Sequence, residues 1–226
     1  MKPTATMLRQ CAFLLCLCSA SAAQAQVNVQ ITEWMYTGPG GEFIEFTNLG
    51  ESAVDFNGWV YDDNSRFNTV ALGGFSLSEL GVLLPGQSAV LTESNAIDFR
   101  SEWSLNAGIS VLGGYTNNLG RGDEINLFDA AGNLVDRLTY GDQVFAGTVR
   151  TQERSGTPGA LADLLPQTVT TGWVLSTAGD AFGSYASASG AIGNPGQFTL
   201  AIPEPSSMAL LLAGLGLVVA AARRRA

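Results

Sequence analysis

Hydrophobic and polar positions alternate near the start of the chain. Val27, Val29 and Ile31 interleave with Asn28, Gln30 and Thr32, the period of two that predicts a strand with one buried face. The segment Glu42–Thr47 follows the turn-forming run Gly38-Pro39-Gly40-Gly41 and predicts a second strand. Short apolar runs at Trp59–Tyr61, Ala89–Thr92, Ile125–Phe128 and Leu134–Leu138 predict more, and Asp129–Asn133 joins the last two as a hairpin. One helical turn is expected at Ala96–Trp103, capped by Asn95. Asn48 to Gly50 and Asn57-Gly58 suit turns with positive φ. Trp59 suits a core anchor between sheets, and the Ser-, Ala- and Gly-rich stretch Ser184–Gly190 suits a mobile loop. Many short strands between glycine-rich turns predict an all-β sandwich.

The two ends break this texture. Lys2 and Arg9 precede an apolar stretch from Ala12 to Ala20, then Ala23-Gln24-Ala25, a small-x-small site. That is the layout of a secretory signal peptide cleaved after Ala25, with Ala23 and Ala25 as the peptidase site. All three cysteines, Cys11, Cys16 and Cys18, fall within it, so the body carries no thiol. Leucines precede Cys16 and Cys18, which argues against a lipoprotein anchor. At the other end, Pro203-Glu204-Pro205 leads to a charge-free run from Met208 to Ala222, followed by Arg223, Arg224 and Arg225. As a helix, fifteen residues rise about 22 Å, short of the roughly 30 Å hydrocarbon core. Gly214 and Gly216 further weaken it, which suits a transient tether better than a permanent anchor. The arginines place its end on the cytoplasmic side and the rest of the chain outside.

The expected organisation is therefore a signal peptide at 1–25, a β-sandwich at 26–200 and a sorting tail at 201–226. The tail comprises the motif 203–205, the hydrophobic segment 208–222 and the basic cluster 223–225. Between the two targeting segments stand six arginines, no lysine and nineteen carboxylates, a net charge of −13. Such a surface repels nucleic acid and anionic lipid.

The tail resembles the PEP-CTERM sorting signal of Gram-negative bacteria. That resemblance implies export by the secretion machinery, capture in the inner membrane, cleavage by an exosortase, and association with exopolysaccharide or biofilm matrix. The body resembles the lamin tail domain. The likeness runs through Ile31–Tyr36, Gly41–Asn48, Val54–Trp59, Leu84–Leu91, Gly122–Asp129, Gly132–Asp136 and Tyr140-Gly141-Asp142, and closes at Trp173 and Gly193-Asn194-Pro195-Gly196. It implies an immunoglobulin-like β-sandwich with no activity of its own. Arg121-Gly122-Asp123 spells an adhesion tripeptide but coincides with that pattern's Gly-Asp turn.

Candidate chemistry is sparse. The chain has no histidine, which removes Ser-His-Asp triads, histidine bases and histidine-ligated zinc. Paired carboxylates remain, among them Glu42, Glu45, Asp62, Asp63, Asp123 and Glu124. Calcium is the cofactor that such oxygens suit, at Asp62-Asp63-Asn64 or at Asp129 with Asn133. The expectation is a non-enzymatic, surface-routed interaction or structural module that meets polysaccharide or a surface protein. The alternative is a carboxylate-dependent hydrolase of extracellular glycans, recognisable by two facing carboxylates in a cleft, one with a raised pKa.

Overall fold

A computed structural model describes residues 28–63, 74–116, 118–164 and 168–199. The expected signal peptide and C-terminal hydrophobic helix lie outside these residues. Among the described residues no helix is long and apolar enough to cross a membrane. The strands are β1 (Val29–Met35), β2 (Phe43–Asn48), β3 (Val54–Asp55), β4 (Val60–Asp62), β5 (Phe75–Ser76), β6 (Val82–Leu83) and β7 (Ser88–Thr92). After helix α1 (Ala96–Glu102) come β8 (Ser110–Gly113), β9 (Gly122–Phe128), β10 (Leu134–Gly141), β11 (Gly156–Pro158), β12 (Thr168–Val169), β13 (Trp173–Leu175), β14 (Tyr185–Ala186) and β15 (Ile192–Gly193).

Two sheets face each other, one in the order β13-β11-β1-β2-β7-β8 and the other β12-β10-β9-β4-β5. Trp34, Ile44, Phe46 and Leu91 of the first meet Tyr61, Ile125, Leu127, Leu138 and Tyr140 of the second in one apolar core. The ring of Trp34 lies 5.1 Å from Tyr140 and 5.0 Å from Trp173. Trp59 is buried in the same core, as its sequence context predicts. The hairpin β9–β10 forms as expected, and Asp129 stabilises its turn by accepting from the N–H groups of Ala131 and Asn133. Gly58 takes the positive φ its context requires, whereas Asn48 ends β2 and its side chain accepts from Gly50 N–H instead.

The expected half-buried first strand is instead buried on both faces. A register shift between Ile31 and Glu33 keeps Ile31 and Trp34 in the sandwich core and sends Glu33 and Met35 to the opposite face. There Met35, Phe43 and Val90 pack beneath Phe99 and Trp103, with Ala191 from the C-terminal segment. Helix α1 belongs to the crossover that the parallel pairing of β7 with β8 demands. Asn95 caps it by accepting from Ile97 N–H at 2.8 Å. A third layer therefore covers the larger sheet, which sequence periodicity alone does not reveal.

The stretch Ser184–Gly190 is not a free loop. Glu102 accepts hydrogen bonds from Ser187 Oγ at 2.6 Å and from the N–H and Oγ of Ser189 at 2.7 and 3.0 Å. These bonds hold its pKa below the ordinary glutamate value and pin the segment to α1.

Candidate functional site

Two carboxyl pairs arise from the register of β1, β2 and β7. The first is Glu33 opposite Glu45, both 1% exposed. Burial raises both pKa values, and for Glu33 the charge of Glu45 adds to it. Glu33 Oε1 accepts from Asn194 N–H at 2.9 Å and from Ser155 Oγ, while Glu45 Oε2 accepts from Gly196 N–H at 2.7 Å. The segment Gly193–Gly196 thus lies across this pair and closes it from solvent. Gly193 passes so near that a Cβ there would sit 2.8 Å from Glu33 Oε1. These groups anchor the C-terminal layer.

The second pair is open. Glu42 stands just before β2 and Glu93 just after β7, brought together because Phe43 pairs with Thr92. Glu42 N–H donates to Glu93 Oε1 at 3.1 Å, and Glu42 C=O accepts from Glu93 N–H at 3.3 Å. The Glu42 side chain is 2% exposed, its Oε2 accepting from Leu119 N–H at 2.8 Å and its Oε1 left without a partner among the described residues. Burial first, then the charge of Glu93, pushes its pKa up to about 9, with a contribution from Asp63. Glu42 is consequently neutral at physiological pH and able to donate as well as accept.

These residues form one wall of a hollow of about 340 Å³, completed by Tyr36, Thr37, Asn118, Leu119 and Arg121. The arginine is fixed by a bidentate bond to Asp142, at 2.8 and 2.6 Å, which lowers the Asp142 pKa. The guanidinium of Arg150 donates to the Tyr36 hydroxyl at 3.0 Å. Beneath lie the hydroxyls of Tyr115 and Tyr140, buried without hydrogen-bond partners among the described residues. Burial raises both phenol pKa values well above normal, so neither ionises. A second hollow of about 350 Å³ lies at the same end, lined by Asp63, Asp123, Glu124, Tyr140, Val144 and Phe145.

Of the acids that the sequence offers, Glu42 and Glu45 each stand beside another, Glu93 and Glu33, which the sequence does not single out. Asp62 is buried at the end of β4, Asp63 lines the second hollow, and Asn64 lies outside the described residues. Among the described residues no three acidic, histidine or cysteine groups cluster as a metal site would require. Asp129 and Asn133 bond to each other, Nδ2 to Oδ2 at 3.0 Å. The sorting residues Pro203, Glu204, Pro205, Arg223, Arg224 and Arg225, and Ala23 and Ala25, fall outside the described residues.

Residues 22–142, more than half the chain, match the family described as Lamin Tail Domain. The chain belongs to the lamin tail domain family. Family members are immunoglobulin-like and non-catalytic. The match in this lamin tail domain protein runs from before β1 to the end of β10 and includes Glu42, Glu93, Leu119 and Arg121. The strands after Asp142, with Trp173 and Gly193–Gly196, lie beyond it. Residues 201–225 match the PEP-CTERM protein-sorting motif, a substrate signal for exosortase processing. That motif marks export and membrane-anchored processing in a Gram-negative bacterium. No curated protein matches the chain.

Proposed function

We propose that the body of this lamin tail domain protein is a surface-displayed binding module that holds extracellular polysaccharide in the Glu42–Glu93 hollow. The observation that carries this reading is the buried, unpartnered Glu42 Oε1 beside a hollow that also presents a carboxylate, a tyrosine and an amide. A protonated Glu42 carboxyl offers both a donor and an acceptor, the complement of adjacent sugar hydroxyls. The volume falls at the lower end of the range for small-molecule sites, roughly 300–1,000 Å³. The excess of negative charge favours a neutral glycan segment over an anionic one.

The raised Glu42 pKa also fits a general acid, which keeps the hydrolase alternative in view. The lamin tail domain family is non-catalytic, which favours the binding module. The test is equilibrium binding of exopolysaccharide from the native host to the exported chain and to its Glu42→Ala variant. Binding that weakens in the variant without any release of reducing ends supports the module. Reducing ends whose release disappears in the variant would establish the hydrolase instead.

A further inference from the structure

The last described segment is tied to the sandwich through the buried carboxyl pair. Asn194 N–H donates to Glu33 Oε1 at 2.9 Å and Gly196 N–H to Glu45 Oε2 at 2.7 Å. Phe198 N–H donates to Ser88 Oγ at 3.3 Å. Ser88 in turn reaches the pair through Thr47, whose hydroxyl lies 2.7 Å from Ser88 Oγ and donates to Glu45 Oε1 at 3.4 Å. Three donors spread over residues 194–198 thus converge on two carboxyls. Glu33 Oε2 has no hydrogen-bond partner among the described residues.

Among the described residues neither carboxyl bonds to an arginine. Their side-chain partners are hydroxyls: Thr32 and Thr47 on Glu45, and Ser155, itself 2.7 Å from Ser176 Oγ, on Glu33. From the C-terminal layer Glu33 faces Asp180, a like charge, and the phenol of Tyr185. Arg154, next to Ser155, donates to the carbonyls of Leu175 and Ser176 and to Thr177 Oγ1. On α1, Arg100 donates to the carbonyls of Asn106 and Ile109, and Glu102 is taken up by Ser187 and Ser189. Two ionised carboxylates, each 1% exposed, would therefore repel with no counter-charge and little water to screen them. The hydroxyl and N–H donors offset part of this, but burial outweighs them and both pKa values stay above the ordinary 4.5. The docked form then keeps a proton that an opened, hydrated form gives up. Docking is full at low pH and is lost as pH climbs past the raised values.

We propose that the Glu33–Glu45 pair is a pH latch for the C-terminal segment. While the pair carries a proton, residues 193–198 stay docked. Once both carboxyls ionise, the segment lifts and water reaches them, while the rest of the sandwich stays folded. The segment leads directly to the sorting motif, with only residues 199–202 between Phe198 and Pro203. Release adds residues 193–198 to that connection, at most about 22 Å of chain. The latch thus sets how far the motif can stand from the body, and it does not depend on the ligand of the Glu42–Glu93 hollow.

The test is hydrogen exchange of the exported chain at about pH 6 and about pH 9, read by mass spectrometry and corrected for the intrinsic pH dependence of amide exchange. Residues 193–198 should lose protection by at least about tenfold towards the higher pH. The β9–β10 hairpin should remain the slower to exchange at both. In the double variant Glu33→Gln, Glu45→Gln, which cannot ionise at these positions, that loss should disappear. Unchanged protection in the parent, or a loss of the same size in parent and double variant, overturns the latch. A segment that exchanges in step with the hairpin at both pH values reports global unfolding and also overturns it. If the double variant does not fold, Glu45→Gln alone decides. Removing the like-charge repulsion must shrink the loss, and an unchanged loss overturns the latch.

Discussion

Glu42→Gln should flatten part of the pH dependence of stability, because it replaces a buried titrating carboxyl with a neutral group of the same shape. The folded-state pKa is raised from the ordinary 4.5 to about 9. A raised carboxyl pKa means that the folded chain keeps a proton which the unfolded chain has already released. The stabilisation is full below the unfolded pKa and drains away as pH climbs through the folded one. Between about pH 5 and pH 8 the loss approaches 1.36 kcal/mol per pH unit, or about 3–4 kcal/mol from this residue. Against a typical stability of about 5–15 kcal/mol that is a large share. Glu33 and Glu45, whose pKa values are also raised, add slopes of the same sign in both proteins, so the difference isolates Glu42. Urea unfolding at the two pH values measures it. The wild-type chain should lose stability towards pH 8, and Glu42→Gln should lose about 3–4 kcal/mol less. Parallel pH profiles for the two proteins would refute the claim that Glu42 is held neutral by burial beside Glu93.

Gly193→Ala places a methyl group 2.8 Å from Glu33 Oε1 and from Ser155 Oγ. It should cost about 1–3 kcal/mol, read as a lowered thermal midpoint with increased proteolysis of residues 184–199. Asn95→Ala removes the cap on Ile97 N–H and should cost about 1 kcal/mol by chemical denaturation, leaving glycan binding unchanged. The exported form isolated from its host should lack Arg223, Arg224 and Arg225 by intact mass, since residues 201–225 match an exosortase sorting motif.

Much of the fold was legible in local chemistry. The β9–β10 hairpin followed from two apolar runs around a glycine-containing turn, and α1 followed from Asn95 and the apolar spacing behind it. The buried place of Trp59 followed from its strand context. What escaped were consequences of register. Glu33 and Glu45 are twelve positions apart and Glu42 and Glu93 fifty-one, and only the pairing of β1 with β2 and β2 with β7 makes each pair neighbours. The bulge after Ile31 is equally invisible in an alternating pattern, yet it decides which face Glu33 occupies. Ser184–Gly190 misled for a related reason. Its small polar residues suit a loop, but three of their groups bond to one carboxylate on α1.

Glycan binding in the hollow depends on a neutral Glu42 carboxyl with an unpartnered Oε1. Carbon-13 NMR of side-chain-labelled glutamate, with Glu42→Gln to assign the resonance, follows the Glu42 carboxyl directly, with and without host polysaccharide. Titration near 9 in the free protein and a shift of that resonance when glycan is added are the expected results. A Glu42 carboxyl that titrates at the ordinary 4.5 and ignores the glycan would contradict that dependence.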